Sequence, residues 1–563
     1  MDELLKTVFI FKSELYTFRR LLSRLKAIYL DISCAFRYDG IEEIIRGTRS
    51  FSPALGKEAY SLEFYRDHYD AVVVGGALAG LSAAISLAEN GRSVLVLERH
   101  NMPGGIATSF VRGGVEIECA LHEMMEIGPE GGRRRIGKML EDHGVLVEWL
   151  PVPDAYRLIL PDLDNSFHPG FETFASEAEE LCPGSREKVL EFLEFCRECS
   201  ESANTLQDEM RSVLHILKHH LPFVRTLGYT AGQVMDAFKL PDKVREILSP
   251  YWIYVGSPIS ELPFTVYAVV MNEYIGHGAY IPRRTSHEIS LKLAERAEAL
   301  GVQIEYRQEV EKILVKDGKA YGVRTKRGDE IHADIVVSGP YPHSVYGRMI
   351  EPASEVPAKA LKMVHSRHMN LSAFSVILVL DCPKEALNLQ DYCIFHAPSM
   401  DSEALYESML KLEGPHYTAS ICMNAANPEA SPEGSCIFSV TMMPRVEAFM
   451  DVTADTYDRI KHDTAEELIG ELEDALKISL KDHIKEIVIE TPVSYAHYVG
   501  SYLGGVYGYR HSMRDHTVAR TMTPEAEEFI KGLYFTGAHG AGGDGMAPVI
   551  ANGFNVARRI LSS

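Results

Sequence analysis

The chain has 563 residues, 46% of them hydrophobic and 24% charged, enough for a large core in about two domains. Its formal net charge of −22 argues against a nucleic-acid partner, whose phosphates it would repel. No apolar run is long enough to span a bilayer, no secretory leader is visible, and nine scattered cysteines suit a reducing compartment, so the expected location is cytoplasmic.

Residues 1–65 precede the first patterned unit. Within 13–30, Leu15, Phe18, Leu22, Leu25 and Tyr29 share one helical face, with Arg19, Arg20, Arg24 and Lys26 beside it. Such a basic amphipathic helix can lie on a membrane surface, pack on the protein's own body, or pair in a homodimer. Residues 47–61, rich in Ser, Gly and Pro, read as a linker.

The stretch 69–105 is the most informative. The apolar run 71–74 is a buried strand, Gly75 and Gly76 make a turn, 78–89 has helical spacing, and 93–97 is a second apolar strand ending at Glu98. An acid about 20 positions past a glycine turn is the spacing of a dinucleotide-binding βαβ unit. Gly75 permits the tight turn, Ala77 stands where a middle glycine would allow backbone to approach a pyrophosphate, and Gly80 lets helix pack on strand. The helix N-terminus offers free N–H groups to phosphates, and Glu98 can accept ribose hydroxyls. Pro103-Gly104-Gly105 is a second turn suited to close backbone approach.

Val115, Ile117 and Cys119 alternate as in a short strand, with His122 just past it. Gly131-Gly132-Arg133-Arg134-Arg135 is a solvated helix start or an anion contact. From 150 to 275 helical segments dominate, at 176–182, 186–210, 213–220 and 230–238, and could form a lid over an apolar cavity. Cys196 and Cys199 lack a second pair, and His215, His219 and His220 lack completing ligands, so no metal is expected. A helix at 286–300, a strand at 310–316, the turn Asp317-Gly318 and strands at 320–325 and 330–337 indicate a small antiparallel sheet. Strands at 374–380 and 437–441 and a helix at 464–480 follow. Near the end, strand 533–536 runs into the glycine-dense loop 537–545 and a helix from Met546, a second cradle whose helix N-terminus would face a group that gains negative charge.

The Gly75–Gly80 fingerprint with Glu98, the run 308–338 and the tail 532–553 resemble the phytoene desaturase, carotenoid isomerase and retinol saturase group, within the wider amine-oxidase-like flavoproteins. The resemblance spans about residues 68–561. It implies an α/β fold: a Rossmann-type FAD-binding domain with an inserted α+β substrate domain, a helical lid plus a mixed sheet. The implied boundaries are a helical extension and linker at 1–65, an FAD-binding domain from 66–150, 277–345 and 521–563, and a substrate domain from 151–276 and 346–520. The implied cofactor is non-covalent FAD, held by Gly75, Gly76, Ala77, Ala79, Gly80, Glu98, Arg99, Gly104, Gly105, Val310, Gly537, Ala538, Gly545, Met546 and Ala547. Relatives carry Asp-x-Gly-x-His where this chain has Glu118-Cys119-Ala120-Leu121-His122, and glycines where it has Arg283-Arg284. His122 is the candidate catalytic polar group. Arg283 and Arg284 either clamp a substrate anion or lie on the surface.

The function this implies is an FAD-dependent oxidoreductase that desaturates, saturates or isomerises C–C double bonds of an apolar polyunsaturated lipid such as a carotenoid, retinoid or other isoprenoid. A polyunsaturated fatty-acid isomerase with an arginine-bound carboxylate, a flavin amine oxidase and a non-catalytic flavin-binding scaffold are the alternatives. The expected partners are a hydrophobic small molecule and either a membrane surface or a second copy of the chain.

Overall fold

The computed structural model describes residues 65–119, 122–208, 220–523, 527–540 and 543–563. The expected helix 13–30, the linker 47–61, His215, His219 and loop residues Ala541 and Gly542 lie outside the described residues.

Tyr69–Val74 is buried on both faces, as a central parallel strand must be. Its side chains alternate between two cores: Ala71 and Val73 join helices Leu78–Glu89, Ser286–Ala299 and Met546–Ser562, while Val72 and Val74 face the opposite side. The parallel order is Leu533–Phe535, Glu330–Ser338, Tyr69–Val74, Val94–Leu97 and Gln303–Glu305. Glu330–Ser338 is shared. Its first half pairs antiparallel with Lys319–Thr325, and its second half pairs parallel with Tyr69–Val74 and Leu533–Phe535. The turn Asp317-Gly318 closes the expected hairpin with both residues left-handed, φ 52° and 71°, the geometry that matches strand twist. Val310–Lys316 also carries the short strand Ile350–Glu351 on its outer edge.

A second sheet runs Ile484–Glu490, Phe374–Leu380, Cys436–Met442, Thr418–Cys422, Cys393–His396, Tyr156–Leu160 and Leu163–Phe167. Phe374–Leu380 is wholly buried because both faces are covered: Ile377 and Val379 face the helical segment, and Phe374, Val376 and Leu378 face helix Ala454–Leu476. The hairpin Tyr156–Phe167 differs from the helix-dominated reading of 150–275. Its first strand is completed by parallel pairing with Cys393–His396, a partner that no local pattern announces. The remaining segment is helical as expected, with Phe171–Leu181, Arg186–Asp208 and Phe264–Val270 packed on that sheet. Helix Ala454–Leu476 begins ten residues before the expected 464, at a Thr453 capping box.

Candidate active site

One cavity of about 1230 Å³ opens where the parallel strands end and extends to the second sheet, lined by Val74, Leu97 and Thr536 on one side and Ser375, Thr441 and Val488 on the other. This is the carboxyl-end crevice where open α/β sheets hold ligands. Its volume exceeds the roughly 300–1,000 Å³ of a pocket for one small ligand.

At one end the chain turns at Gly75, φ 103°, and enters helix Leu78–Glu89. The N-cap, Ala77, has no capping side chain, and the first turn carries no acid, so the helix end presents bare N–H groups and positive potential to the cavity. A Cβ on Gly80 would lie 2.2 Å from the Gly75 carbonyl oxygen, so only glycine lets helix and turn approach this closely. The Ala77 methyl is accommodated because it faces Gly105, where any Cβ would stand 3.0 Å from it. Glu98 ends its strand with both carboxylate oxygens accepting backbone N–H groups, from Gly76 and from His100, each at 2.7 Å. Arg99 donates to the carbonyls of His497 and Tyr498, tying this loop to the second-sheet side.

The second cradle meets the first. Thr536 Oγ1 and the Gly537 N–H both donate to Asn552 Oδ1, at 2.8 and 3.0 Å. Helix Met546–Ser562 starts after Gly545 without a capping side chain and directs its N-terminus to the same cavity. Pro548 fits within its first turn, where backbone N–H groups have no intrahelical partner in any case. A Cβ on Gly553 would lie 2.2 Å from the Ala79 carbonyl oxygen, so the two phosphate-type helices cross in backbone contact. Of the fifteen expected cofactor positions, all but Gly76 line the cavity, and Gly76 holds Glu98 from behind. Gln308 Oε1, His539 Nε2 and Asp544 Oδ2 are buried on its wall without a protein partner. Two uncapped helix ends, an acid at a strand terminus and orphaned polar atoms fit a long dinucleotide.

The rest of the cavity is an apolar chamber walled by Val255, Val266, Val269, Val270, Ala373, Met443 and Val506, with Tyr254, Tyr274 and Tyr507. His122 opens onto the cavity, its ring edge-on to Tyr254 with centroids 6.1 Å apart. Burial pushes its imidazolium down to about 4, so the ring is neutral at pH 7. Three further polar groups line the same cavity. Glu123 is buried, and burial raises its carboxyl well above the usual range. Glu490 is pushed up to about 8 by burial, against hydrogen bonds from Tyr495 and Cys119. Cys119 lines the cavity beside it. The one local signal was an acid, Glu123, inside the otherwise apolar run around His122.

Arg283 and Arg284 do not face this chamber. Arg283 pairs on the surface with Glu148 at 2.6 Å and Glu429 at 3.0 Å, and Arg284 is exposed, so of the two expectations the anion clamp is corrected and the surface position is the one found. The short strand Tyr280–Pro282 pairs with Trp149–Pro151 and carries the next residues outward. The arginine cluster stands at the start of helix Arg135–Asp142, and each side chain is ion-paired: Arg133 with Glu141, Arg134 with Glu273 and Arg135 with Glu126. Cys196 and Cys199 lie in the core. His416, Glu467 and Glu471 cluster, but both His416 ring nitrogens engage acceptors, Glu471 and the Leu412 carbonyl, leaving no lone pair for a metal.

Residues 78–561 match the family described as flavin containing amine oxidoreductase. Prolycopene isomerase 1 of an Oncidium hybrid cultivar is 26% identical over 529 residues, covering 90% of this chain and 86% of that protein. All-trans-retinol 13,14-reductase of Danio rerio is 24% identical over 515 residues, covering 85% and 84%. An oxidoreductase from Methanosarcina mazei shares the fold, with a TM-score of 0.56 at 18% identity over 88% of this chain and 100% of that one. With the family match extending over most of the chain and a cavity built for a long dinucleotide, the chain belongs to the flavin containing amine oxidoreductase family and is an FAD-dependent oxidoreductase.

Proposed function

We propose that this enzyme acts on C–C double bonds of an apolar, polyunsaturated lipid of the carotenoid, retinoid or isoprenoid class. The observation that carries the reading is the apolar chamber continuous with the dinucleotide cradle. Relatives named for prolycopene isomerisation and retinol 13,14-reduction support it. FAD, once bound, supplies hydride exchange with carbon. Gly75–Gly80, Glu98, Gly104, Gly105, Val310 and the 537–547 segment would hold it. The bare N-terminus of helix Met546–Ser562 would favour negative charge at its end of the cavity. The valine and methionine wall excludes water, and neutral His122 offers one donor and one acceptor beside it.

The fatty-acid alternative loses its arginine pair, which lies outside the chamber. The amine-oxidase and scaffold readings separate from ours in one experiment. Holoenzyme kept free of oxygen, once in its oxidised form and once after photoreduction, is mixed in turn with a carotenoid, a polyunsaturated acid and an alkyl amine. A shift of flavin or polyene absorbance with a new lipid product, and none with the amine, is expected. Amine oxidation, or silence with every compound, overturns the proposal.

A membrane surface is the delivery partner we propose, contacted peripherally through residues 13–30. No helix among the described residues is long and apolar enough to cross a membrane. Val111, Ile487 and Tyr498 are 61%, 44% and 54% exposed, and Phe110, Arg112 and Lys461 beside them line the cavity. Deleting 1–60, or changing Val111, Ile487 and Tyr498 to Asp, should reduce flotation with anionic vesicles several-fold. Unchanged flotation with an altered oligomeric state would favour the homodimer instead.

A further inference from the structure

We propose that Glu123 and Tyr254 form a hydroxyl-recognition subsite in the apolar chamber, so that the enzyme selects a polyene lipid bearing an alcohol over the bare hydrocarbon. This rests on the lipid reading above and narrows its substrate class.

Glu123 is 6% exposed and lines the cavity. Its Oε1 accepts the Tyr254 hydroxyl at 3.1 Å, while its Oε2 is buried with no hydrogen-bond partner. Thr265 Oγ1 is a second buried oxygen on the cavity wall without a partner. A buried polar atom left unpaired in a folded protein is costly; most are satisfied by protein or by ordered water, and a ligand that displaces the water must supply the same partner.

The chemistry of the missing partner follows from the state of the acid. Burial raises the Glu123 carboxyl well above its usual range; the Tyr254 hydrogen bond opposes this and the charge of Asp154 adds to it. This favours the neutral acid, in which Tyr254 donates to Oε1 and the proton sits on Oε2. That O–H seeks an acceptor, and an alcohol oxygen supplies one while keeping the site uncharged. A substrate carboxylate would bring a negative charge toward Glu123 and Asp154. A hydrocarbon leaves Oε2–H unsatisfied.

The test uses flavin-loaded enzyme and two polyenes of equal length, one hydrocarbon and one ending in a primary alcohol. Binding is read from flavin absorbance, and KM and kcat are measured separately. The wild type should bind the alcohol about tenfold to a hundredfold more tightly. Glu123→Leu should abolish the preference, loosening the alcohol and tightening the hydrocarbon until the two affinities meet. Glu123→Gln, which keeps an N–H donor, should retain part of the preference, and Tyr254→Phe, which removes the hydrogen bond that orients the acid, should shrink it. Flavin content and thermal midpoint verify that each variant folds. Equal wild-type affinities, or a preference surviving in Glu123→Leu, overturns the subsite alone. So does loss of turnover for both lipids in Glu123→Gln with binding intact, which would make Glu123 a proton donor. If neither lipid perturbs the flavin or is converted, the lipid reading falls with it.

Discussion

Glu490 ends the strand Ile484–Glu490 with its carboxyl accepting from the Tyr495 hydroxyl at 2.9 Å and facing Cys119 and the charge of Glu118. Burial lifts it from the ordinary 4.5 to about 8. Below 4.5 it is protonated in both folded and unfolded chains. Between 4.5 and about 8 the unfolded chain ionises and the folded one does not, so this group's contribution to stability is lost as pH rises through that window. Glu490→Gln should therefore flatten the dependence of the melting temperature on pH, gaining about 2 °C or more over wild type at pH 8 relative to pH 5. Parallel slopes for the two proteins would mean the folded carboxylate is already ionised. At this scale the sequence was half legible. Glu98 was found because the dinucleotide spacing announces it. The properties of Glu123 and Glu490 come from burial against residues distant in the chain, Tyr254 for the first and Cys119 for the second, which no local pattern announces.

Helices Leu78–Glu89 and Met546–Ser562 depend on the absence of a Cβ at two positions. Gly80→Ala would place a methyl 2.2 Å from the Gly75 carbonyl oxygen, and Gly553→Ala would do the same against Ala79. Each should cost about 1–3 kcal/mol of stability and splay the two N-termini that converge on the cavity. Flavin retained after dialysis should fall together with the melting temperature. Gly470 lies in helix Ala454–Leu476 with nothing within 4 Å of its Cβ position, and Gly470→Ala should be neutral or stabilise by up to about 1 kcal/mol. Equal effects at all three positions would refute the close-crossing account. The strand–turn–helix units were readable because glycine placement and apolar period are local. The hairpin Tyr156–Phe167 was not, since its stability as a strand pair derives from Cys393–His396.

Across the whole molecule, the cavity draws its walls from both sheets, so flavin binding should stabilise both. Saturating stripped protein with FAD at a hundredfold excess over its dissociation constant should add about 2.7 kcal/mol and raise the melting temperature. Limited proteolysis should slow in both the 69–105 and the 374–490 segments. Protection confined to the first would show that the second sheet closes independently of the cofactor.

The cofactor class was determined by sequence alone, because a dinucleotide is recognised by backbone, and backbone recognition needs glycines at set spacings: Gly75, Gly80, Gly104, Gly105 and the 537–545 loop. The substrate chamber was decided only by tertiary structure. Its walls are side chains whose meaning depends on what stands across from them. Arg283-Arg284, suggestive in the sequence, is turned outward by the strand before it, and Glu123, unremarked in the sequence, is enclosed. An arginine pair or a buried acid acquires its role from the dielectric around it, which burial sets and neighbouring sequence does not.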